Sequence, residues 1–248
     1  MSAWLPSPLP ENENLAFIGE TPWTVARITP ADTRRLLAAR NPTGRPNADV
    51  IRRFVGCQNG HRAESAQIDF PHYFNAQEAA LYVKPFAKLK RNEDSTWQNP
   101  NAKAGMRASL AKLERYLATP LGLDVPSWDW IESHLLPDDT LLAVARDDDF
   151  IHGVLQSRAF NVWWLHWQPF IAPIEIVQSL PFPWPPTTPL SALNRTQEEH
   201  RLAIARAARA GVQASLDAAV LAAYEWPDNS GDDAMVTNLT ALHRRRIK

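Results

Sequence analysis

The sequence predicts an α+β fold: a mixed domain over residues 1–186, then a helical segment over 187–248. Three observations lead there. Short strand-like segments and capped helical stretches are interleaved through the first part of the chain. The run Leu180-Pro-Phe-Pro-Trp-Pro-Pro186 is neither helix nor central strand, because successive prolines remove donors and fix φ. Beyond it the composition turns alanine-rich with helical spacing. With 45% hydrophobic residues the chain can bury a real core, which excludes wholesale disorder.

In order, residues 1–15, with Pro6, Pro8 and Pro10 ahead of Glu-Asn-Glu-Asn, read as a loose extended arm. Leu15–Ile18 and Trp23–Ile28 read as short strands. Thr29-Pro30-Ala31-Asp32 supplies a cap, a first-turn proline and an acidic third position, so a helix follows to about Arg40 and stops at Asn41-Pro42. Val50–Val55 is a short apolar segment, and Gln67–Phe70 a strand ended by Pro71. Asn75-Ala-Gln-Glu78 is a capping box that opens a helix through Tyr82, ended before Pro85. Residues 88–103 read as a polar loop. Ala104–Leu117 is a helix with Met106, Leu110, Leu113 and Leu117 on one face.

Thr140–Ala145 reads as a buried strand, followed by a turn at Asp147–Asp149. Phe150–Gln168 has helical spacing on an aromatic face. Leu180–Pro186 is expected to be an extended linker laid over a surface. Thr196–Tyr224 reads as one long helix with Leu202, Ala205, Val212, Leu216 and Val220 facing inward. Pro227 ends it, and Ser230-x-x-Asp233 caps a last helix through Leu242.

Composition narrows the chemistry. Proline, at 21 of 248, and tryptophan, at 10, are in excess, while glycine numbers only 9. Those glycines form neither G-x-G-x-x-G nor G-x-x-x-x-G-K-[ST], which argues against a self-contained nucleotide enzyme, and no cofactor is expected. Cys57 is the only cysteine, so no disulfide within the chain and no thiolate-rich metal site can form. The histidines at 61, 72, 134, 152, 166, 200 and 243 show no two-ligand spacing, and no G-x-S-x-G frames a nucleophile. The first 15 residues do not read as a signal peptide and no apolar run is long enough to span a membrane, so a cytoplasmic, non-membrane protein is expected.

The formal charge of −1 hides an asymmetry. Residues 1–120 carry 16 Lys/Arg against 11 Asp/Glu, and residues 121–248 carry 10 against 16. A basic half-chain can turn one face toward an anionic partner. The candidate nucleic-acid-binding residues are Arg45, Arg52, Arg53, Arg62, Lys88, Lys90, Arg91, Asn99, Asn101, Lys103 and Arg107. Loop-borne cations suit phosphates, and amide or guanidinium groups suit base edges. Gln98 adds another amide and Trp97 a ring that could stack.

Several stretches occur in a familiar order: Trp23–Leu37 followed by Asn47-Ala-Asp-Val-Ile51; Ile68-Asp-Phe70, Glu78–Tyr82 and Pro85-Phe86; Leu113–Pro120; Leu136–Asp139 and Ala145–Arg158; Leu180–Pro186; and Leu216–Pro227. Together they resemble the target-recognition and C-terminal region of MmeI-like (type IIG/IIL) restriction–modification enzymes and related adenine DNA methyltransferases. The resemblance implies a non-catalytic reader of double-stranded DNA, not itself an enzyme, that works beside a separate DNA methyltransferase or restriction subunit. It departs from that family at Leu121–Trp128, where relatives carry a basic run, and at Gln168–Ser179, where a longer loop is shortened. Those losses leave an alternative: a truncated, mobile-element-borne remnant serving as a protein–protein adaptor or inhibitor.

Overall fold

A computed structural model describes residues 4–71, 74–90 and 97–247. Its first half contains β1 (Ala16–Ile18), β2 (Arg27–Ile28), α1 (Pro30–Leu37), β3 (Ile51–Gln58), β4 (His61–Ile68), α2 (Ala76–Ala80), α3 (Val83–Lys90) and α4 (Ala104–Leu110). The second half holds β5 (Arg115–Pro120), β6 (Asp129–Glu132), β7 (Leu135–Pro137) and β8 (Leu141–Val144), then the helices α5 (Asp149–Gln156), α6 (Arg158–Trp167), α7 (Pro173–Ser179), α8 (Arg195–Ala210), α9 (Gln213–Ala223) and α10 (Asp232–Arg246). The α+β class holds.

The chain divides into two compact units. One comprises Ile18–Ala111 and Glu132–Leu141 and contains the sheet β2-β4-β3-β7. The other comprises Met1–Phe17, Lys112–Ile131 and Leu142–Lys248, with the sheet β1-β8-β5-β6 and helices α5 to α10. Both units are discontinuous in sequence, whereas the composition shift sets its boundary at 186.

In the first unit, β3 and β4 form an antiparallel hairpin in register from Ile51↔Ile68 to Gln58↔His61. Its two-residue turn, Asn59-Gly60, has φ of 51° and 78°, the left-handed pair that matches the twist of the strands. The expected segments at 50–55 and 67–70 are therefore the inner ends of one longer ribbon. β7 adds in parallel to β3, and β2 pairs only with Gln67 and Ala66 of β4. Trp23–Ile28 is a single helical turn before that two-residue strand. Ile28, Val50, Ile68, Phe70, Tyr82 and Phe86 build the core.

Both caps read from the sequence form here. Thr29 Oγ1 accepts from Asp32 N–H at 3.1 Å, and Asn75 and Glu78 cap α2 reciprocally. The helix expected to end before Pro85 is instead followed by α3, with Pro85 in its first turn, where a missing N–H breaks no helical bond. The expected loop from residue 88 thus begins inside a helix.

The helix expected through Leu117 stops at Leu110, inside the first unit, and residues 115–120 extend as β5 of the second. Tyr116, Leu117, Ala118 and Thr119 are buried in succession, which suits a strand covered on both faces better than a helix with one solvent face. The arm is not loose: Leu9 and Asn12 are buried, and Asn12 Nδ2 donates to the carbonyls of Gln178 and Leu180 at 2.8 Å. Asp148 caps α5 rather than closing a free turn. The aromatic helix is two helices, because Ser157 leaves helical geometry to cap α6.

Leu180–Pro186 is extended as expected, but Leu180, Phe182 and Trp184 are buried. The long alanine-rich helix is also two, split at Gly211 with φ 67°. Leu202 and Val212, expected inside, are exposed. The last helix starts after Gly231 and runs on to Arg246, while Ser230 Oγ donates to Pro227 O instead of capping it.

Candidate nucleic-acid interface

Of the loop around 88–107 expected to approach DNA, the described part from residue 97 onward is sewn into its own unit. Asn99 is 1% exposed. Its Nδ2 donates to Asp69 Oδ1 at 2.7 Å, and its Oδ1 accepts Asn101 N–H. Asn101 Nδ2 donates to Thr21 O, and Lys103 Nζ to the carbonyls of Ile18 and Gly19. Arg107 holds Glu20 through two bonds of 2.6 Å and Asp69 through bonds of 2.5 and 3.3 Å. These paired carboxylates hold the Arg107 guanidinium above its already high range, against an opposing burial cost. Trp97 packs on Phe70 and Phe86, and Gln98 Nε2 donates to Phe74 O. In this structure Asn99, Asn101, Lys103 and Arg107 therefore spend their donors on this chain. The segment looked solvent-facing only because its partners lie far away in sequence.

The remaining candidates lie at the surface. Arg52 donates to Ala48 O and lies 3.9 Å from Asp69. Arg53 pairs with Glu64 at 2.5 Å, and Arg62 with Glu64 and Glu132 at 3.2 and 3.6 Å. The backbone N–H of Glu132 and the guanidinium of Arg62 hold the Glu132 carboxyl below its usual range. Lys90 sits 4.8 Å over the Phe86 ring. Arg45 is exposed at the rim of a loop fixed from within: Asn41 Nδ2 donates to Arg45 O and Asn47 Oδ1, and Asn47 Nδ2 to Leu36 O and Ala39 O. Nearby, the Tyr82 hydroxyl donates to Asp49, and burial raises its pKa. Arg91 lies outside the described residues.

Lys88 points to a surface that loop-centred reading missed. Its Nζ lies 3.0 Å from Asp32 Oδ2, while Asp32 Oδ1 takes Arg35 at 2.7 Å. The Lys88 bond, followed by the charges of Lys88 and Arg35, draws the Asp32 carboxyl below its usual range. The groove between α1 and α3 is lined by Arg35, Leu36, Lys84, Ala87 and Lys88. A second groove, on residues that include Ile28, Pro30, Thr33, Arg34, Arg53 and Glu64, lies along the other flank of α1. Arg27, Arg34, Arg40 and Lys84 are exposed and have no side-chain partner among the described residues.

Five cations thus border α1, with Asp32 and Glu64 as local anions. This unit carries 14 basic against 11 acidic residues, a balance of +3, and the other unit 12 against 16, or −4. Such a surface attracts polyanions. The signal for Arg34 and Lys84 was in the basic count, but both lie on helices and look like ordinary solvated faces. Among the described residues no group of His, Cys, Asp and Glu could hold a metal ion, and no helix is long and apolar enough to cross a membrane.

No family model matches the chain, and no curated protein matches it. Among solved structures, 99% of the chain is similar in fold to the type IIL restriction–modification enzyme MmeI, solved in complex with DNA, with a TM-score of 0.53 and 15% identity. The match covers 36% of that enzyme, so the chain spans about a third of its length.

Proposed function

We propose that the chain is a non-catalytic DNA target-recognition module of a restriction–modification or phage-defence methyltransferase system, acting beside a separate methyltransferase or restriction subunit. The observation that carries this reading is the similarity of nearly the whole chain to one third of an enzyme solved on DNA. The cations bordering α1 support it. In this reading Arg34, Arg35, Lys84 and Lys88 meet phosphates, fixing orientation without sequence information. The Asn99–Arg107 segment keeps the fold rigid instead of touching DNA.

A shift assay with duplex DNA at low and moderate salt, with and without a cognate methyltransferase, tests the proposal. Binding that weakens steeply as salt rises is expected, because counterions return to the duplex. No binding under any of these conditions would overturn it.

One observation favours a second reading, that of a protein–protein adaptor or inhibitor. Leu123 and Val125 are exposed apolar residues in the stretch where the resembling family carries cations. A protein partner that co-purifies after nuclease treatment, with no duplex binding, would favour that reading over the first.

A further inference from the structure

The β3–β4 ribbon outruns its sheet. β2 reaches only Gln67 and Ala66, and β7 only Arg53, Phe54 and Val55, so from Gly56 to Ala63 the two strands pair with each other alone. The neck of this projection is braced. Asp138 N–H donates to Val55 O and Cys57 N–H to Thr140 Oγ1, both at 2.8 Å. Asp138 Oδ1, which also accepts from the hydroxyl of Thr140, takes Thr140 N–H at 3.0 Å. Its carboxylate fills the space a Cβ on Gly56 would need, with Oδ2 only 1.9 Å from that position. A side chain at residue 56 would evict the brace.

Past the brace the ribbon is polar and open. Gln58, Asn59, Gly60, His61 and Arg62 are all exposed. Asn59 and Gly60 supply the two left-handed residues of the turn. Gln58 and His61 face each other on the last rung, and neither side chain has a partner among the described residues. Gln58 adjoins the braced Cys57 and His61 is its cross-strand partner, so a contact made by either costs little backbone freedom.

We propose that this ribbon is the sequence-reading element, entering the major groove of double-stranded DNA so that Gln58 and His61 touch base edges. The proposal rests on the DNA-binding reading above. The major groove, roughly 12 Å wide, admits a two-stranded ribbon, and glutamine pairs bidentately with the N6 and N7 of adenine. Arg62 is already shared between Glu64 and Glu132, which leaves the last rung as the part free to discriminate. The division of labour is then physical: α1 and α3 offer charge to phosphates, and the ribbon offers directional donors and acceptors to bases.

The test is selection from a randomised duplex pool with the full chain and three variants. Wild type enriches a motif. Gln58→Ala/His61→Ala keeps duplex binding and its salt dependence but loses discrimination at one or two base pairs by roughly tenfold to a hundredfold. Arg34→Ala/Lys84→Ala weakens binding to all sequences and keeps the motif. Gln58→Glu replaces an amide donor with an acceptor and shifts one position from adenine toward cytosine, a gain that misfolding cannot produce. An unchanged motif in both Gln58 variants, or wild-type binding without any motif, overturns the ribbon proposal and leaves DNA binding standing. Wild-type protein that retains no duplex at low salt overturns the DNA reading, and the ribbon proposal with it.

Discussion

Arg107 grips Glu20 through two parallel hydrogen bonds, Nε to Oε1 and Nη2 to Oε2, each 2.6 Å long, although the residues are 87 positions apart. The third corner of the cluster is Asp69, with Arg52 beside it at 3.9 Å. Two carboxylates with side chains no more than 1% exposed thus meet two guanidinium groups. Asn99 Nδ2 donates to Asp69 Oδ1, the oxygen that also accepts from Arg107 Nη2 at 3.3 Å. Charges withdrawn from water in this way are stable only while the set is complete.

Arg107→Ala leaves Glu20 and Asp69 buried without their main partner. The expected loss is about 3–5 kcal/mol, which lowers Tm by about 6–20 °C for a chain of this size. Thermal unfolding followed by circular dichroism reads this directly. Arg107→Lys keeps the charge, loses the bidentate geometry and falls between the two. Had Arg107 been a phosphate contact instead, both variants would melt with wild type, and Arg107→Ala alone would bind DNA with a smaller salt slope.

A pH dependence follows from His243. The ring is 0% exposed, its Nε2–H donates to Ser7 O at 2.8 Å, and Nδ1 has no hydrogen-bond partner among the described residues. Burial, reinforced by Arg244 and opposed by the Ser7 bond and by Glu11, lowers its pKa from the ordinary 6.5. The unfolded chain therefore takes a proton at a higher pH than the folded chain does. Stability from this group is complete above about pH 6.5 and falls as pH drops from there toward the folded value. His152, also lowered chiefly by burial, acts in the same direction. In His243→Gln the fall in Tm between about pH 6.5 and pH 5 becomes shallower, by up to one proton's worth, or about 1.4 kcal/mol per pH unit. An identical slope in the two proteins contradicts the assignment.

What could be read in the sequence divides along the range of the interaction. Thr29 and Asn75 cap their helices as expected because a cap is settled within three residues. Asn59-Gly60 was equally local and marks the hairpin outright, yet the polar strand beyond it, His61 to Ala66, lacks the apolar alternation that flags a strand. The breaks at Ser157 and Gly211 were hidden because helical spacing of apolar residues continues across them. The roles of Asn99, Lys103 and Arg107 could not be read locally at all. Their partners are 30 to 87 residues away, and a buried donor has the same letter as an exposed one.

Glu225 and Gly211 make an opposed pair. Each follows a helix in the left-handed region, with φ of 61° and 67°. At the end of α9, Trp226 N–H reaches back to Leu221 O and Glu225 N–H to Ala222 O, a closure in which glycine normally holds the position of Glu225. Glu225→Gly is expected to stabilise by about 0.5–1 kcal/mol and Gly211→Ala to destabilise by a similar amount. Opposite shifts in Tm of about 2–4 °C, seen in one set of melts, check both.

Gly153 of α5 packs directly against α8 and α9. A Cβ there would stand 2.5 Å from Ile204 Cγ2 and 3.1 Å from Leu216 Cδ1. Gly153→Ala would ordinarily favour a helix, but here the methyl has no room. We expect a net loss of about 1–3 kcal/mol, measured as an earlier urea midpoint with an unchanged m-value. In Gly153→Ala/Ile204→Ala, where the clashing Cγ2 is gone, the loss is smaller than the sum of the two single losses. A stabilised Gly153→Ala protein would show that α8 retreats freely from α5.

The cations bordering α1 make the last prediction. Arg34 and Lys84 are exposed and have no side-chain partner among the described residues, so replacing them leaves Tm close to wild type. If both meet phosphates, Arg34→Ala/Lys84→Ala reduces the slope of log affinity against log salt by about 1.8, near 0.9 for each contact. Arg53, by contrast, is already matched by Glu64, so Arg53→Ala removes little net charge from the surface that DNA would meet and changes the slope less. Titration of one duplex across several salt concentrations separates the cases. Equal slopes for wild type and the Arg34/Lys84 variant place the phosphate contacts elsewhere, whereas a larger change from Arg53 than from Arg34 would mean that the Glu64 pair opens on binding.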